Sequence, residues 1–412
     1  MKAKAIKLVS CCKYEIVIFA LLCIQALINI LPFYGMSKKF YVYYLSDFSM
    51  GTASRMWVGS IVKLLTDHPT EKWVCGFAFV TLFIALLFSA ILVGGVIRKS
   101  NDEMKPILCI FALLFSLGSF TLHGFSRFFG MLDIHMFILA LLAVVFLQNK
   151  YLRWFVPVIC AIGVFINFVF AISYFLFIIL VAFYLVVTQE KKLANSAVFA
   201  ISAAVTVILT LYCIILGPDS MKVTFEQMRE IMEQKSGHKL DDWALTNYFG
   251  FYFFDMAPEE VGLSAEQVSQ LSLVGYVKEF IKYSVGTKFT LNGVISLVSL
   301  ALPTVAVFWV IWGFCIRNSE TAGRRFVYFC FLAFTIFIPV TCMMSTDPIR
   351  WVQAGVITQF GLVFFMFFME DEPFIKTMRQ FKSFFETRKI LMIALAALVA
   401  VYVFTYQQNL SA

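Results

Sequence analysis

The sequence predicts an all-α, polytopic membrane protein with about eleven transmembrane helices. Of its 412 residues, 61% are hydrophobic and 14% are charged, and the mean hydropathy is +0.86. A soluble domain has about 25% charged residues. Apolar runs of about 17 residues or more, the length that a membrane helix requires, recur along the chain. A β-barrel would instead show alternating segments of about ten residues, and the sequence has none.

The apolar runs give the boundaries of the predicted helices to within a few residues. They cover residues 15–34, 74–97, 106–122, 132–148, 154–170, 173–189, 194–216, 290–315, 325–343, 351–369 and 389–406. The fifth and sixth runs form one apolar stretch that is too long for a single straight helix, so we place a tight turn near Ser173. The first run is too long for a signal peptide and lacks a cleavage site of small residues, so we expect it to be the first membrane helix.

Lysines and arginines predict the orientation. With the N-terminus inside, 19 of the 33 lysines and arginines fall in inside segments, and the two short outside loops carry only Arg127 and Arg350. The positive-inside rule therefore favours an N-in, C-out chain and also explains the net charge of +8. Because no basic run alternates with aromatic residues, we expect no nucleic-acid partner. The lean loops and the lack of a transit peptide favour the plasma membrane of a bacterium.

Two long loops belong to the external side of the single predicted membrane domain, residues 1–412. The first, residues 35–73, contains an amphipathic segment from Ser54 to Asp67 that is typical of an interfacial helix. The second, residues 217–289, contains two helical patterns, Thr224–Lys235 and Ser264–Ser272, with a turn at Gly237 between them. It predicts a helical cap on the external surface.

Four short polar motifs interrupt the hydrophobic pattern, and counting helices places all four on the external side. They occupy residues 46–55, 123–127, 133–135 and 347–351. Charges close to a bilayer are costly, so they usually face a cavity and serve a function. The shared side therefore predicts one functional site.

Asp47 is the candidate catalytic residue. A carboxylate here could act as a general base, or it could bind a metal that bridges a phosphate. Alternatively, Asp47 is the N-cap of a helix that starts at Phe48. Gly51 would allow close approach of the backbone. Arg55 would bind a phosphate through two hydrogen bonds, or would extend to the lipid headgroups.

Arg127, Asp133 and His135 form the second group of candidates. Asp133 and His135 are two residues apart on a helix, so they do not share a face and we expect only one of them to point into the cavity. Alternatively, Asp133 pairs with Arg127 in a structural role. The spacing of His123 and His135 does not support a metal site. The cofactor stays open, with a divalent cation as one candidate.

Asp347, Arg350 and Trp351 begin the tenth predicted helix. Arg350 would contact an anionic ligand. Alternatively, Asp347 caps the helix, Pro348 occupies its first turn, and Arg350 and Trp351 anchor it at headgroup depth.

Taken together, three arginines and three carboxylates at one membrane face predict a site for an anionic headgroup presented from the bilayer. A polyprenyl-phosphate-linked sugar is such a substrate. A carboxylate would then deprotonate or orient the acceptor hydroxyl. We expect Asp47 to be catalytic and the other candidates to bind substrate: Arg55, Arg127, Asp133, His135, Asp347, Arg350 and Trp351.

Over roughly residues 10–220 the layout resembles the C-type (GT-C) membrane glycosyltransferases. An acidic residue, Asp47, follows the first helix and precedes an interfacial helix, and the stretch Arg127–Asp133 leads into a leucine-rich helix. The resemblance implies catalysis on the external face with a lipid-phosphate sugar donor, a glycan, lipid or protein acceptor, and Asp47 as the catalytic carboxylate. Many members carry paired acidic residues in that loop, whereas here Asp67 comes much later.

Two other classes remain open. An O-antigen polymerase or ligase would use the large loop at residues 217–289 and the arginines Arg55, Arg127 and Arg350, with an oligosaccharide pyrophosphate as its donor and without a metal. A transporter or flippase would bury charges in the middle of its spans and break its helices there. The predicted spans contain few such groups, Asn167 being the main one, and a non-catalytic scaffold is a further alternative.

Overall fold

The computed structural model describes residues 12–30, 36–118, 121–189, 192–249, 291–343 and 348–388, together with residues 282 and 390. The fold is all-α, as predicted, and these ranges contain no β-strand. We number the α-helices that are longer than the single turn Lys38–Tyr41 as α1 Lys13–Ile30, α2 Trp57–Leu65, α3 Glu71–Lys99, α4 Lys105–Leu117, α5 His123–Arg127, α6 Asp133–Leu147, α7 Val156–Ile166, α8 Tyr174–Thr188, α9 Lys192–Ile215, α10 Phe225–Ser236, α11 Asp242–Phe249, α12 Leu291–Asn318, α13 Ala322–Met343, α14 Pro348–Phe368 and α15 Glu372–Glu386.

Three of the described helices are long and apolar enough to cross a membrane: α3, α9 and α14 from Arg350 onward. Helices also occupy the ranges of seven further predicted spans, while the predicted span 389–406 lies almost wholly outside the described residues. Helix α4 is shorter than expected. It ends at Leu117, where Gly118 takes up an extended conformation, so its 13 residues reach about 20 Å, less than a hydrocarbon core of roughly 30 Å.

Helices α1 and α3 pack closely because a glycine lies at their contact. A Cβ atom on Gly94 would lie only 2.6 Å from the backbone nitrogen of Glu15. Phe19 and Phe83 meet edge to face, with their ring centroids 5.1 Å apart. At the far end of α3, Arg98 forms an ion pair of 3.3 Å with Glu15. This pair fixes the register of the two helices.

The expected break near Ser173 is present and has a clear cause. Helix α7 ends at Ile166, and Asn167 in an extended conformation accepts a hydrogen bond from the N–H of Val169 through its side chain. A short 3₁₀ turn, Phe168–Ile172, follows, and α8 begins at Tyr174. The side chain of Asn167 thereby replaces helical hydrogen bonds and lets the chain reverse.

Helix α14 lies at the centre of the bundle and α9 lies at its edge. In the most apolar stretch of α14, 83% of the residues are buried, whereas only 22% are buried in the corresponding stretch of α9. Gly361 of α14 faces the ring of Phe177, where a Cβ atom would lie 2.5 Å from Cζ. Gln359 accepts a hydrogen bond of 2.6 Å from the indole N–H of Trp312. Helix α14 therefore connects α8 with α12.

One buried carboxylate ties three helices together beyond the C-terminal end of α14. Asp371 caps α15 and accepts hydrogen bonds from the hydroxyls of Tyr184 on α8, at 2.8 Å, and Tyr328 on α13. The inner face of α15 buries Phe374 and Met378. The basic residues of this segment placed it among the inside connections, so α15 is an addition to the predicted helices.

Candidate functional site

The loop that contains Asp47 is folded against α2. Ser46 donates a hydrogen bond of 2.9 Å to the carbonyl of Arg55, and the N–H of Phe48 donates one of 3.0 Å to the hydroxyl of Ser60. Gly59 permits this contact, because a Cβ atom there would overlap the carbonyl oxygen of Ser46. Helix α2 falls within the predicted segment Ser54–Asp67; its placement in a membrane interface stays a prediction.

Asp47 is not a helix cap. Residues 48–50 form a turn, and the carboxylate accepts a hydrogen bond of 2.7 Å from the N–H of Ser49, which is an Asx turn. Its oxygens also meet two ammonium groups: Oδ1 lies 3.3 Å from Nζ of Lys63 and Oδ2 lies 2.5 Å from Nζ of Lys235. The side chain of Asp47 is only 2% exposed. The carboxylate is therefore buried between two cations.

Helix α10 brings Lys235 to this place. Thr224 and Gln227 form a capping box at the start of the helix, and Gly237, with φ at +74°, ends it. The helix buries Met228 and Met232, and Lys235 lies on the same face since it follows them by seven and three residues. Lys235 also donates a hydrogen bond of 2.8 Å to the carbonyl of Leu45.

Backbone pairing holds the start of the second long loop against the first. Gly51 and Met221 form an isolated antiparallel bridge, and the N–H of Lys222 donates a hydrogen bond of 2.9 Å to the carbonyl of Met50. A side chain at Gly51 would collide with Met221. Gly51 therefore allows the close approach that the sequence predicted, but the approaching group is the chain itself.

Lys235 and Ser49 keep Asp47 ionised. Burial alone would raise the pKa of the carboxyl, but hydrogen bonds from Lys235 and Ser49 outweigh it and lower the pKa to about 2. Burial also lowers the pKa of Lys235, and Asp47 opposes that change. Asp47 is thus ionised at neutral pH and, in this arrangement, is too weakly basic to take a proton from a hydroxyl.

A small cavity of about 30 Å³ adjoins the ion pairs, with Lys63, Lys235, Asp67 and Tyr44 in its wall. A space of this size holds one or two water molecules. A sugar or a phosphate would therefore require α10 or the 46–50 turn to move.

Arg55 is held in a strained backbone conformation. Its φ is +70°, in the left-handed region, and its N–H donates a hydrogen bond of 2.9 Å to the carbonyl of Phe165. The guanidinium carbon lies 5.9 Å from the ring centroids of both Tyr43 and Phe168, within the range of cation–π attraction. Such strain costs about 1–3 kcal/mol and is often found at functional positions.

Asp133 forms an ion pair with Arg350, so the alternative pairing with Arg127 is wrong. The two side chains are 12% and 18% exposed and join α6 to α14. The guanidinium carbon of Arg127 lies 5.7 Å from the ring centroid of Phe128, and its buried Nη1 has no hydrogen-bond partner in the described part of the chain.

His135 points away from Asp133, as two residues' separation on a helix requires. Its ring centroid lies 6.2 Å from those of both Tyr44 and Phe77. The hydroxyl of Tyr44 donates a hydrogen bond of 2.9 Å to the carbonyl of Gly130. Tyr44 therefore links the Asp47 loop to the turn before α6, and His135 packs as an aromatic ring.

The remaining predicted residues divide between described and undescribed parts of the chain. Asp347 lies outside the described residues. Trp351 is only 8% exposed, so it is packed inside the bundle and does not face lipid as an anchor would. The interfacial role predicted for Trp351 is therefore not observed. Asp347 adds no described contact to the site.

Four polar residues near the candidates were not predicted. Lys63 and Lys235 form ion pairs with Asp47. Nε2 of Gln25 lies 3.2 Å from Nδ1 of His123. Gln353 is 3% exposed and lies against Gly124. The position of Lys235 on the apolar face of α10 indicates, from the sequence alone, that its side chain is buried. Nothing local in the sequence indicates that it meets Asp47.

The described residues include no group of three or more histidines, cysteines or acids that could hold a metal ion. Both oxygens of Asp47 face ammonium groups. This arrangement repels a cation, so the carboxylate is a poor metal ligand while both lysines remain in place.

Comparison with known proteins adds no relative: the sequence matches no protein-family description, no curated protein and no solved structure. The class defined by the fold is thus an all-α protein with helices apolar enough to cross a membrane.

Proposed function

We propose that the protein is a membrane glycosyltransferase that moves a sugar from a polyprenyl-phosphate donor to an acceptor at the external face of a bacterial plasma membrane. The proposal includes eleven membrane spans in the N-in, C-out orientation. The observation that carries it is the buried carboxylate of Asp47 between Lys63 and Lys235. A base that accepts the proton of the acceptor and cations that stabilise the departing phosphate both accelerate glycosyl transfer from a phosphate.

The chemistry assigns a role to each group. The acceptor hydroxyl attacks the anomeric carbon as its proton passes to Asp47, and the bond from that carbon to the phosphate oxygen breaks. The departing phosphate gains negative charge, which Lys63 and Lys235 balance. Arg55, on the same loop, is a further cation for the donor.

Donor binding also supplies the basicity that Asp47 lacks. A phosphate that takes over Lys235 removes the main cause of the low pKa. Asp47 then becomes a stronger base when the donor is in place and only then. The closed arrangement is therefore the donor-free state.

The first experiment combines lipid analysis with transfer. The protein, purified in mild detergent, is analysed for retained lipids by mass spectrometry, and membranes are assayed for sugar transfer with Asp47→Asn and with the control Asp219→Asn, in the turn before α10. We expect a retained polyprenyl phosphate or polyprenyl-linked sugar, loss of transfer in Asp47→Asn and normal transfer in Asp219→Asn.

Full transfer by Asp47→Asn contradicts the catalytic assignment. Retention of bulk phospholipid alone, in folded protein offered polyprenyl phosphate, contradicts the donor class and favours a transporter or scaffold. A retained oligosaccharide pyrophosphate supports the polymerase or ligase class in its place.

A further inference from the structure

A second polar cluster lies between α1, α5, α6 and α14, and it joins two of the predicted candidates, Asp133 and Arg350, to three residues that were not among them. It contains Gln25, His123, Asp133, Arg350 and Gln353, of which four are less than 10% exposed. Gln25 contacts His123, and the neighbouring Gly124 lies against Gln353. Arg350 precedes Gln353 by three residues on the same face of α14 and forms the ion pair with Asp133.

Gln353 approaches α5 unusually closely. A Cβ atom on Gly124 would overlap Oε1 of Gln353, so only glycine fits there without movement. Yet Nε2 of this buried amide has no hydrogen-bond partner among the described residues. Buried polar groups are nearly always paired, and an unpaired donor in a native core calls for a ligand or another explanation.

The charges of the cluster specify the ligand. Asp133 and Arg350 neutralise each other. Burial, and secondarily Arg127, lowers the pKa of His123 to about 4, so its ring is neutral at pH 7. Gln25 and Gln353 carry no charge. Arg127, whose positive charge contributes to that shift, lies next to the cluster. The amide, imidazole and ion-paired groups of the cluster itself match the hydroxyl groups of a sugar, whereas the cations at Asp47 match a phosphate.

We propose that this cluster, with Gln353 at its centre, binds the hydroxyl groups of an uncharged sugar ring. The inference rests on the proposed function in one respect, that the sugar is the one carried by the lipid donor. Arg350 is the more exposed end of the cluster, so the ring enters past the Asp133–Arg350 pair. Gln353 donates through Nε2 to a sugar oxygen and sets the specificity for the ring.

The test uses lipid-like sugars and a matched pair of variants. Wild type in a polyether detergent that contains no sugar is titrated by native mass spectrometry with octyl glucoside and octyl galactoside. The variants are Gln353→Leu and Gln359→Leu, because Gln359 is a buried glutamine of the same helix whose amide is partnered by Trp312 and by the carbonyl of Phe331.

We expect one alkyl glycoside per protein, at least tenfold weaker binding in Gln353→Leu, and unchanged affinity in Gln359→Leu. Thermal stability should show the reverse order, since Gln353→Leu removes an unsatisfied donor and Gln359→Leu leaves two polar groups unpaired. Wild-type affinity in Gln353→Leu, or no glycoside binding by wild type, overturns the inference.

The outcome is separable from that of the proposed function. Transfer from a lipid donor without Gln353-dependent glycoside binding leaves the glycosyltransferase and removes this site. Gln353-dependent binding without any polyprenyl lipid or transfer leaves the sugar site and removes the enzyme.

Discussion

Lys235 and Asp47 are separated by 188 positions in the sequence, yet Nζ and Oδ2 lie 2.5 Å apart in a site that is almost closed to solvent. The contact adds a pair of charges to the backbone pairing at Gly51 and Met221 that already joins the second long loop to the first. It makes α10 a part of the Asp47 site.

This pair should show strong thermodynamic coupling. Removing Asp47 leaves the buried end of Lys235 without its carboxylate, so we expect Asp47→Asn to lower the free energy of unfolding by about 2–3 kcal/mol. Lys235→Met leaves Asp47 paired with Lys63 alone, so its loss should be smaller. The double variant should lose less than the sum of the two. Chemical denaturation of the four proteins in detergent measures the coupling. Additive losses would mean that the contact contributes nothing to stability.

Stability should also depend on pH through Asp47. Because the pKa of the folded carboxyl is about 2, below its ordinary value of 3.8, its contribution of about 2 kcal/mol is present above pH 4 and is lost as the pH falls towards 2. The difference in stability between wild type and Asp47→Asn should therefore shrink over that range. Thermal unfolding of both proteins at pH 7, 4 and 3 checks it; a constant difference contradicts the ionised pair.

Gly59 should be intolerant of even one methyl group. Its Cβ atom would overlap the carbonyl oxygen of Ser46, so Gly59→Ala must push the Asp47 loop away from α2 at a cost of about 2 kcal/mol or more. The control is Gly76→Ala on α3, where a Cβ atom meets nothing within 4 Å and helix propensity favours alanine by up to about 1 kcal/mol. Melting temperatures compare the two. Equal tolerance would show that α2 and the loop are not packed as described.

The Asp133–Arg350 pair should couple α6 to α14. We expect Asp133→Asn or Arg350→Gln alone to cost roughly 2 kcal/mol, and the double variant to cost little more than either. Arg127→Gln is the comparison, since Arg127 does not bind Asp133 here. Denaturation curves of these four variants, of Asp133→Asn combined with Arg127→Gln, and of wild type measure both couplings. A larger coupling between Asp133 and Arg127 than between Asp133 and Arg350 would contradict the observed pairing.

Periodicity and length predicted the helices well, because an apolar run long enough for a membrane has few other stable conformations. The break near Ser173 was also predicted, but Asn167, which we expected in the middle of a span, lies at the end of α7. Helix α15 was missed although it carries the usual signals: Asp371 as a cap, Pro373 in the first turn, and Phe374, Met378 and Phe381 at helical spacing. The basic residues on its exposed face assigned the segment to an inside connection by the positive-inside rule.

The composition of the site was less predictable than its location. Asp47 was identified by its position after the first helix, but its lysine partners come from α2 and α10, and no local pattern links α10 to residue 47. The pairing of Asp133 was wrong for the same reason. Arg127 is the nearer arginine in sequence, and the packing of α14 brings Arg350 closer in space.

Asp371 gives the two ends of the bundle different mechanical properties. At its end, one carboxylate clamps α8, α13 and α15 through two tyrosine hydroxyls and a helix cap, with every one of these partners contributed by the protein itself. At the opposite end, ion pairs join α10 to the Asp47 loop and α6 to α14, and an incoming charged or polar group can compete for these contacts. We therefore expect the end of the bundle at Asp371 to be the more rigid one, and displacement on ligand binding to be larger at the end where Asp47 lies.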